Sequence, residues 1–244
     1  MKLLQKKFMD NNFEVIMMTD VNPQEQLPHT MAYHDDELKN INFGDLTFNT
    51  EKHPTSWEKA FYHIYKNKLT YDYYYFIEED VYCNNLDTFI DAFKSLENIP
   101  SDLVATKIES FAKSRWVHFK QGHIKKLYKG PPHHILYRSF NPFCRISQNL
   151  MNKLFEFYEQ YNCFYYNEMM FSTICFNNSL SAIDFKKHPL LSPYFGTFIF
   201  ISGEEKIRRY ITVEEKQELF STDKIVHPRK HNVDMHKLLN INIV

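Results

Sequence analysis

The sequence predicts an α/β domain in which a mixed, mainly parallel sheet is flanked by helices, and three observations predict it. Helical and strand-like hydrophobic periods alternate as helix, strand, helix, strand, helix, strand from the N-terminus to Ile108, the order expected of strands joined by crossover helices. Tyr73, Tyr74, Tyr75, Phe76 and Ile77 form an aromatic and β-branched run that ends abruptly in Glu78, Glu79 and Asp80. Aromatic residues make up 16% of the chain while glycine occurs only 5 times, which predicts an ordered core and argues against glycine-rich phosphate loops.

Taken in order, Leu3, Leu4 and Phe8 share one side of a short helix, and Phe13–Asp20 reads as a strand that ends in an acid. Val21–His34, with Pro23 and Pro28, is loop-like, and Asp35, Asp36 and Glu37 open a short helix because acids favour the positive end of the helix dipole. Thr55 or Ser56 caps a second helix in which Trp57, Phe61, Ile64 and Tyr65 share a face. The Tyr73–Ile77 strand follows. Leu86, Phe89, Ile90, Phe93 and Leu96 then repeat at helical spacing up to Pro100, and Asp102–Ile108 supplies the next strand.

Periodicity fails from Glu109 to Asn141, where Arg115, Trp116, His118 and several lysines and histidines surround Gly130-Pro131-Pro132. A long basic, aromatic loop is expected there, of the kind that lines a site on a rigid scaffold or lies solvated on the surface. Phe143–Ser147 leads into an amphipathic helix carrying Leu150, Leu154, Phe157 and Tyr161, with Ser147 as its cap. Glu168 opens another, strongly apolar helix. An acid there either offsets the helix dipole or, if buried near aromatics, acquires the raised pKa of a general base. Ser179–Phe185 and Thr197–Ile201 are expected as closing strands, and Thr212 with Glu215 forms a capping box for a helix to Phe220.

With 29 Lys and Arg against 30 Asp and Glu, the formal charge of -1 gives no whole-chain case for binding nucleic acid or an anionic membrane. The 4 cysteines, Cys83, Cys144, Cys163 and Cys175, have neither disulfide-scaffold nor zinc-knuckle spacing and are expected as buried thiols. No apolar stretch reaches the roughly 20 residues of a membrane span, and the first residues lack the apolar core of a signal peptide. The expectation is a soluble, intracellular or cytoplasmic protein.

Three carboxylates at one strand tip repel one another unless a metal, a basic partner or open water relieves them. In open α/β sheets ligands gather at the carboxyl ends of strands, although an acidic cap on a strand is the simpler account of any one of them. Near the C-terminus, His227 precedes Pro228 and is followed by Arg229 and Lys230, which places a metal ligand beside phosphate-neutralising charge.

The motif Phe76–Val81 (FIEEDV), the Ser56–Ile64 helix upstream of it, Phe143–Ser147 (FCRIS) before a helix, the helix-entry Glu168 and the terminal Ile225–Lys230 (IVHPRK) together resemble a GT-A-type glycosyltransferase. The resemblance runs over roughly residues 13 to 231. It implies a Rossmann-type nucleotide-sugar-binding fold in a single domain, 1–244, with a donor-binding half of about 1–110 and an acceptor-binding, catalytic half of about 111–244. It also implies a DxD-like motif that holds Mn²⁺ or Mg²⁺ against the diphosphate of a donor such as a UDP- or GDP-sugar.

On that resemblance, Glu78, Asp80 and His227 are the expected metal ligands, with Asp80 the foremost. Asp20, Lys59, Glu79, Arg229 and Lys230 meet the nucleotide and its phosphates, and Glu168 takes the proton of the acceptor hydroxyl in an inverting reaction or orients substrate in a retaining one. Arg115, Trp116, His118 and Arg145 fall on the acceptor side. Two departures qualify the match. Glu rather than Asp opens the acidic motif, which leaves a metal-independent variant resting on Arg229 and Lys230. A helix-like segment stands where the family begins with a strand, so a shortened chain or a missing strand is expected. A transferase-like protein that binds or assembles glycans without turnover is the alternative. A metal-dependent phosphodiesterase or nuclease using Glu78, Asp80 and His227 is disfavoured by the near-neutral charge.

Overall fold

The computed structural model describes residues 8, 10–11, 13–19, 30–39, 56–78, 81, 83–114, 128, 130–164, 166–198 and 223–227. Eight strands and five helices lie within them. The strands are β1 (Met17–Thr19), β2 (Thr30–Ala32), β3 (Tyr73–Ile77), β4 (Leu103–Ser110), β5 (Tyr137–Ser147), β6 (Ala182–Asp184), β7 (Phe195–Phe198) and β8 (Ile225–His227); the helices are α1 (Asp35–Lys39), α2 (Ser56–Asn67), α3 (Leu86–Glu97), α4 (Gln148–Tyr161) and α5 (Asn167–Asn177).

A four-stranded sheet in the order β3-β5-β4-β6 is the centre of the fold, and two parallel pairs, β1-β2 and β7-β8, accompany it. The class is α/β as expected, but the four-stranded sheet is mixed rather than mainly parallel, since two of its three pairings are antiparallel. Strand β5 runs antiparallel to both β3 and β4, while β4 and β6 pair in parallel.

Helices cover both faces of this sheet. Leu103 and Ala105 of β4 and Cys144 and Ile146 of β5 pack with Phe61, Leu150, Leu154 and Phe171 of α2, α4 and α5. Val104 and Phe143, one residue out of step with them, pack on the other face with Phe89, Phe93 and Leu96 of α3 and with Phe185 and Phe195. Alternation with period two sends successive side chains into opposite cores. Phe143 is fully buried at the join of these aromatics; truncating such a side chain costs about 3–5 kcal/mol.

Two side chains fix the ends of the helices that flank β5. Ser147 Oγ accepts the Leu150 amide at 3.1 Å and so caps α4, as its sequence predicts. Arg145 is completely buried, and its guanidinium donates to the carbonyls of Leu96, Ile99 (2.6 Å) and Ser101 (2.8 Å). These acceptors are at the end of α3 and in the turn after it, where helical carbonyls lack intrahelical partners. Arg145 is therefore a buried clamp on the end of α3, which corrects its assignment to an acceptor: it has no surface to offer one.

Several elements depart from the sequence reading. The supposed loop Glu109–Asn141 is strand at both ends, because Glu109 and Ser110 extend β4 and Tyr137–Asn141 begin β5. A strand buried on both faces shows no polar alternation, and the polar residues of β5 are accommodated by partners distant in sequence. Thr30–Ala32 is also strand. Strand β7 begins at Phe195 rather than Thr197. The short α1 forms at Asp35 as expected. All four cysteines are buried free thiols. Among the described residues, no helix is long and apolar enough to cross a membrane. The expected helix at Thr212–Phe220 and the core of the basic loop, 115–127, lie outside the described residues.

Candidate functional site

Strand β3 stops at Ile77, whereas β5 continues for several residues toward its own N-terminus with β4 as its only neighbouring strand among the described residues. Pro142 marks the division. It has no N–H for a further ladder bond, and its carbonyl receives the Glu78 amide at 2.8 Å. Beyond it, α5 takes the place of β3: Thr173 Oγ1 accepts the Tyr137 amide (3.0 Å) and donates to the Tyr137 carbonyl (3.1 Å), and Asn141 Nδ2 donates to the Asn167 carbonyl (3.1 Å). These bonds draw the first turn of α5 against β5 and place Glu168 beside the tip of β3.

Glu168 is buried, with 6% of its surface exposed, and among the described residues its Oε2 has no hydrogen-bond partner. Burial is the largest influence on its carboxyl, and the negative charge of Glu78 acts in the same direction. Arg138, Tyr166 and the Asn141 amide oppose them, and the result is a pKa raised to about 8. The Tyr166 phenol is itself pushed well above its ordinary value, first by burial and then by Glu168 and Glu78.

Glu78 lies at the focus of this field. Its Oε1 accepts from the Trp57 indole at 3.2 Å, and its Oε2 is 3.6 Å from His227 Nε2. Trp57 is held for that contact by stacking on Phe76, centroids 5.2 Å apart. His227, at the end of β8, is 4% exposed; it stands edge-on to Phe140 at 5.3 Å and stacks on Phe198 at 6.1 Å.

The cationic edge of the site comes from the two strands behind it. Arg138 donates through Nε (3.1 Å) and Nη2 (3.0 Å) to Glu109 Oε2. Lys107 lies over the Phe140 ring, 5.1 Å from its centroid. Burial, then Arg138, lower the Lys107 ammonium from its ordinary value, while Glu168 and Glu109 act to raise it.

Of the residues singled out in the sequence, Glu78, Glu168 and His227 are brought together. Lys59 is not presented to a phosphate: it is 1% exposed and pairs with Asp35 at 2.9 Å. Asp20, Glu79, Asp80, Arg115, Trp116, His118, Arg229 and Lys230 lie outside the described residues. Among those that are described, no group of three or more His, Cys, Asp or Glu is arranged to hold a metal. Glu78 Oε2 and His227 Nε2, 3.6 Å apart, are two donors, fewer than such a group.

Lys107, Glu109, Arg138, Tyr166, Trp57 and Phe140 were not anticipated as site residues. Charged and amide side chains inside a strand-length segment, at Arg138 and Asn141, were the available signal for two of the elements that build the site. No family model, curated protein or solved structure matches the chain.

Proposed function

We propose that the protein is a nucleotide-sugar-dependent glycosyltransferase with a GT-A-like, Rossmann-type fold, moving a hexosyl or pentosyl group to a hydroxyl of a glycan or glycoconjugate. One observation carries the reading. Glu78, His227 and Glu168 come from the ends of β3 and β8 and the start of α5, yet they share one pocket of charge, with 3.6 Å between the first two and the field of Glu78 acting on Glu168. A transfer enzyme needs such a division between a diphosphate-binding end and a base.

In this reading Glu78 and His227 hold Mn²⁺ or Mg²⁺, with Asp80 as a further ligand. A bound divalent cation supplies electrostatic stabilisation of the departing diphosphate. Glu168 in its carboxylate form accepts the proton of the acceptor hydroxyl as that oxygen attacks the anomeric carbon. The bond from carbon to the diphosphate oxygen breaks, its electron pair leaves with the nucleoside diphosphate, and configuration inverts. Trp57 orients Glu78, and the dry setting of Glu168 keeps competing water away from the base. A metal-independent variant would draw its positive charge from Arg229 and Lys230.

A second reading, a sugar-binding or assembly protein without turnover, is favoured by one feature. With its pKa at about 8, Glu168 is mostly protonated at neutral pH, and a protonated acid is no base. Calorimetry with a panel of nucleotide sugars, with and without Mn²⁺, combined with product analysis, separates the two. Donor binding with transfer supports the enzyme, donor or glycan binding without transfer supports the binding protein, and no binding to any donor removes the transferase proposal.

A further inference from the structure

Three side-chain oxygens where β5 meets the first turn of α5 are buried and, among the described residues, have no hydrogen-bond partner: Asn141 Oδ1, Asn167 Oδ1 and Glu168 Oε2. Their residues are 1%, 9% and 6% exposed, so each is at least nine-tenths removed from bulk water. Buried polar atoms left unpaired are few in a folded protein, and each one calls for a physical account. Three at the junction of one strand and one helical turn call for a shared one.

Hydrogen bonds between the strand and the helix group the three. Asn141 Nδ2 donates to the Asn167 carbonyl at 3.1 Å, which fixes the oxygen as the unpaired end of that amide and holds it against the helix start. Ser139, two residues away and so on the same face of β5, brings its Oγ to 3.5 Å from the Glu168 carbonyl. Asn167 and Glu168 are the first two residues of α5, whose preceding residue, Tyr166, contributes no side-chain cap. The strand residue that carries one orphan oxygen is therefore bonded to the turn that carries the other two.

The chemistry of the set selects its ligand. Two of the oxygens belong to neutral amides and accept only, so the ligand must bring hydrogen-bond donors. The third belongs to a carboxyl raised to about 8, which is mostly neutral at pH 7 and weakens the case for a cation. A hydroxyl both donates and accepts, so it satisfies that carboxyl in either protonation state. Adjacent hydroxyls on one small molecule are the property of a sugar.

We infer that Asn141, Asn167 and Glu168 form a saccharide subsite, in which the two asparagine oxygens accept from hydroxyls that flank the one presented to Glu168. The acceptor is then a sugar with free neighbouring hydroxyls, rather than a protein side chain or a lone alcohol. The word acceptor rests on the transferase reading, whereas the subsite does not. The sugar ring of the donor is the other source of the same hydroxyls.

Ligand-detected NMR titration tests this with the methyl glycosides of glucose, galactose, mannose and N-acetylglucosamine, then with the monodeoxy and monodeoxyfluoro analogues of whichever binds. Fluorine keeps the size of a hydroxyl and removes its donor. At one position or more, the deoxy and deoxyfluoro analogues are expected to bind wild type about 5- to 100-fold more weakly than the parent sugar, the range for a buried group left unpaired. Asn167→Leu weakens the parent by a similar factor and the fluorinated analogue no further, the coupling expected of two groups in contact. Its thermal transition stays or rises, because methyl groups replace a buried oxygen that has no donor; a merely structural asparagine would lose stability instead. If Asn167→Leu does not fold, the wild-type fluorinated series decides alone.

Failure of every glycoside to bind overturns the proposal, as do fluorinated analogues that all match their parent or an Asn167→Leu protein with full sugar affinity. So does stabilisation of wild type, and not of Asn167→Leu, by K⁺, Ca²⁺ or Mg²⁺ without sugar dependence, because the oxygens then hold a cation. UDP-glucose and GDP-mannose, compared with UDP and GDP in the presence of Mn²⁺, separate the two sources. If Asn167→Leu removes the advantage of the nucleotide sugar over its nucleotide and leaves the methyl glycosides unchanged, the hydroxyls belong to the donor and the acceptor assignment is overturned. If no nucleotide or nucleotide sugar binds while the fluorinated series depends on Asn167, the saccharide subsite stands and the transferase reading falls.

Discussion

Glu78 Oε2 lies 3.6 Å from His227 Nε2, joining the tip of β3 to the tip of β8. A carboxylate oxygen and an imidazole nitrogen at that separation are near the spacing of two ligands on one small cation, and each is held by aromatic neighbours, Trp57 for Glu78 and Phe140 with Phe198 for His227.

If the pair binds metal together, Glu78→Gln and His227→Ala each weaken Mn²⁺-dependent binding of a nucleoside diphosphate, by tenfold or more on the scale of lost ligand-shell contacts, about 10–100-fold. Calorimetric titration of Mn²⁺ in the presence of UDP or GDP measures this. Unchanged affinity in both variants would remove the pair from the metal site.

Trp57→Phe keeps an aromatic ring against Phe76 and deletes only the indole N–H that Glu78 accepts. Metal affinity is expected to fall by a few-fold, with a stability loss of about 1.5–3 kcal/mol for one hydrogen bond to a charged group. Urea unfolding and metal titration on the same variant distinguish these effects.

Glu168 carries a stability signature that depends on pH. Its folded pKa, about 8, lies above the ordinary value of 4.5. The folded state therefore binds the proton more tightly, and stability is lost as pH rises from near 4.5 toward 8. Glu168→Gln lacks that penalty, so relative to wild type the variant should gain on the order of 3–5 kcal/mol at pH 8 and above compared with pH 4. The same change leaves donor binding intact and lowers transfer by about 10²–10⁴-fold if Glu168 is the base. Wild-type transfer with rate rising through pH 8 accompanies that role, and transfer undiminished in Glu168→Gln excludes it.

Arg145→Lys tests whether this residue is structural. An ammonium cannot span the carbonyls of Leu96, Ile99 and Ser101 as a planar guanidinium does. Destabilisation of about 2–4 kcal/mol is expected in urea, from buried acceptors left unpaired, with the acceptor KM unaltered in protein that remains folded. An elevated acceptor KM at normal stability would restore Arg145 to the acceptor side.

Asp102 gives the opposite pH sign. Burial raises its carboxyl, but hydrogen bonds from Ser181, Ser147 and Asn149 outweigh burial and leave its pKa below the ordinary 3.8. Its contribution is present above pH 3.8 and lost as pH falls through the lowered folded value. Asp102→Asn should therefore destabilise the protein at pH 7, by about 1–3 kcal/mol for this bonding network, and the difference from wild type should shrink in acid unfolding below pH 3.8.

The sequence by itself determined the elements whose cause is local. Aromatic and β-branched character made Tyr73–Ile77 a strand, Ser147 capped its helix through a side chain three residues from the amide it accepts, and Asp35–Glu37 started α1 at the favourable end of its dipole. It also marked Glu168 as an acid at the mouth of an apolar helix, while leaving dipole compensation and catalysis equally open. Tertiary structure decided what depends on distant partners. Arg145 and Glu168 are both charged residues in apolar surroundings, yet three carbonyls enclose the first and the second keeps an oxygen without a partner among the described residues. The Glu109–Asn141 segment lost its strands to the sequence reading because Arg138 pairs with Glu109 and Asn141 bonds to α5, contacts that no periodicity encodes. The meeting of Glu78 with His227 likewise arises from the ends of two strands in different sheets, and only packing of the folded chain brings those ends within reach of one another.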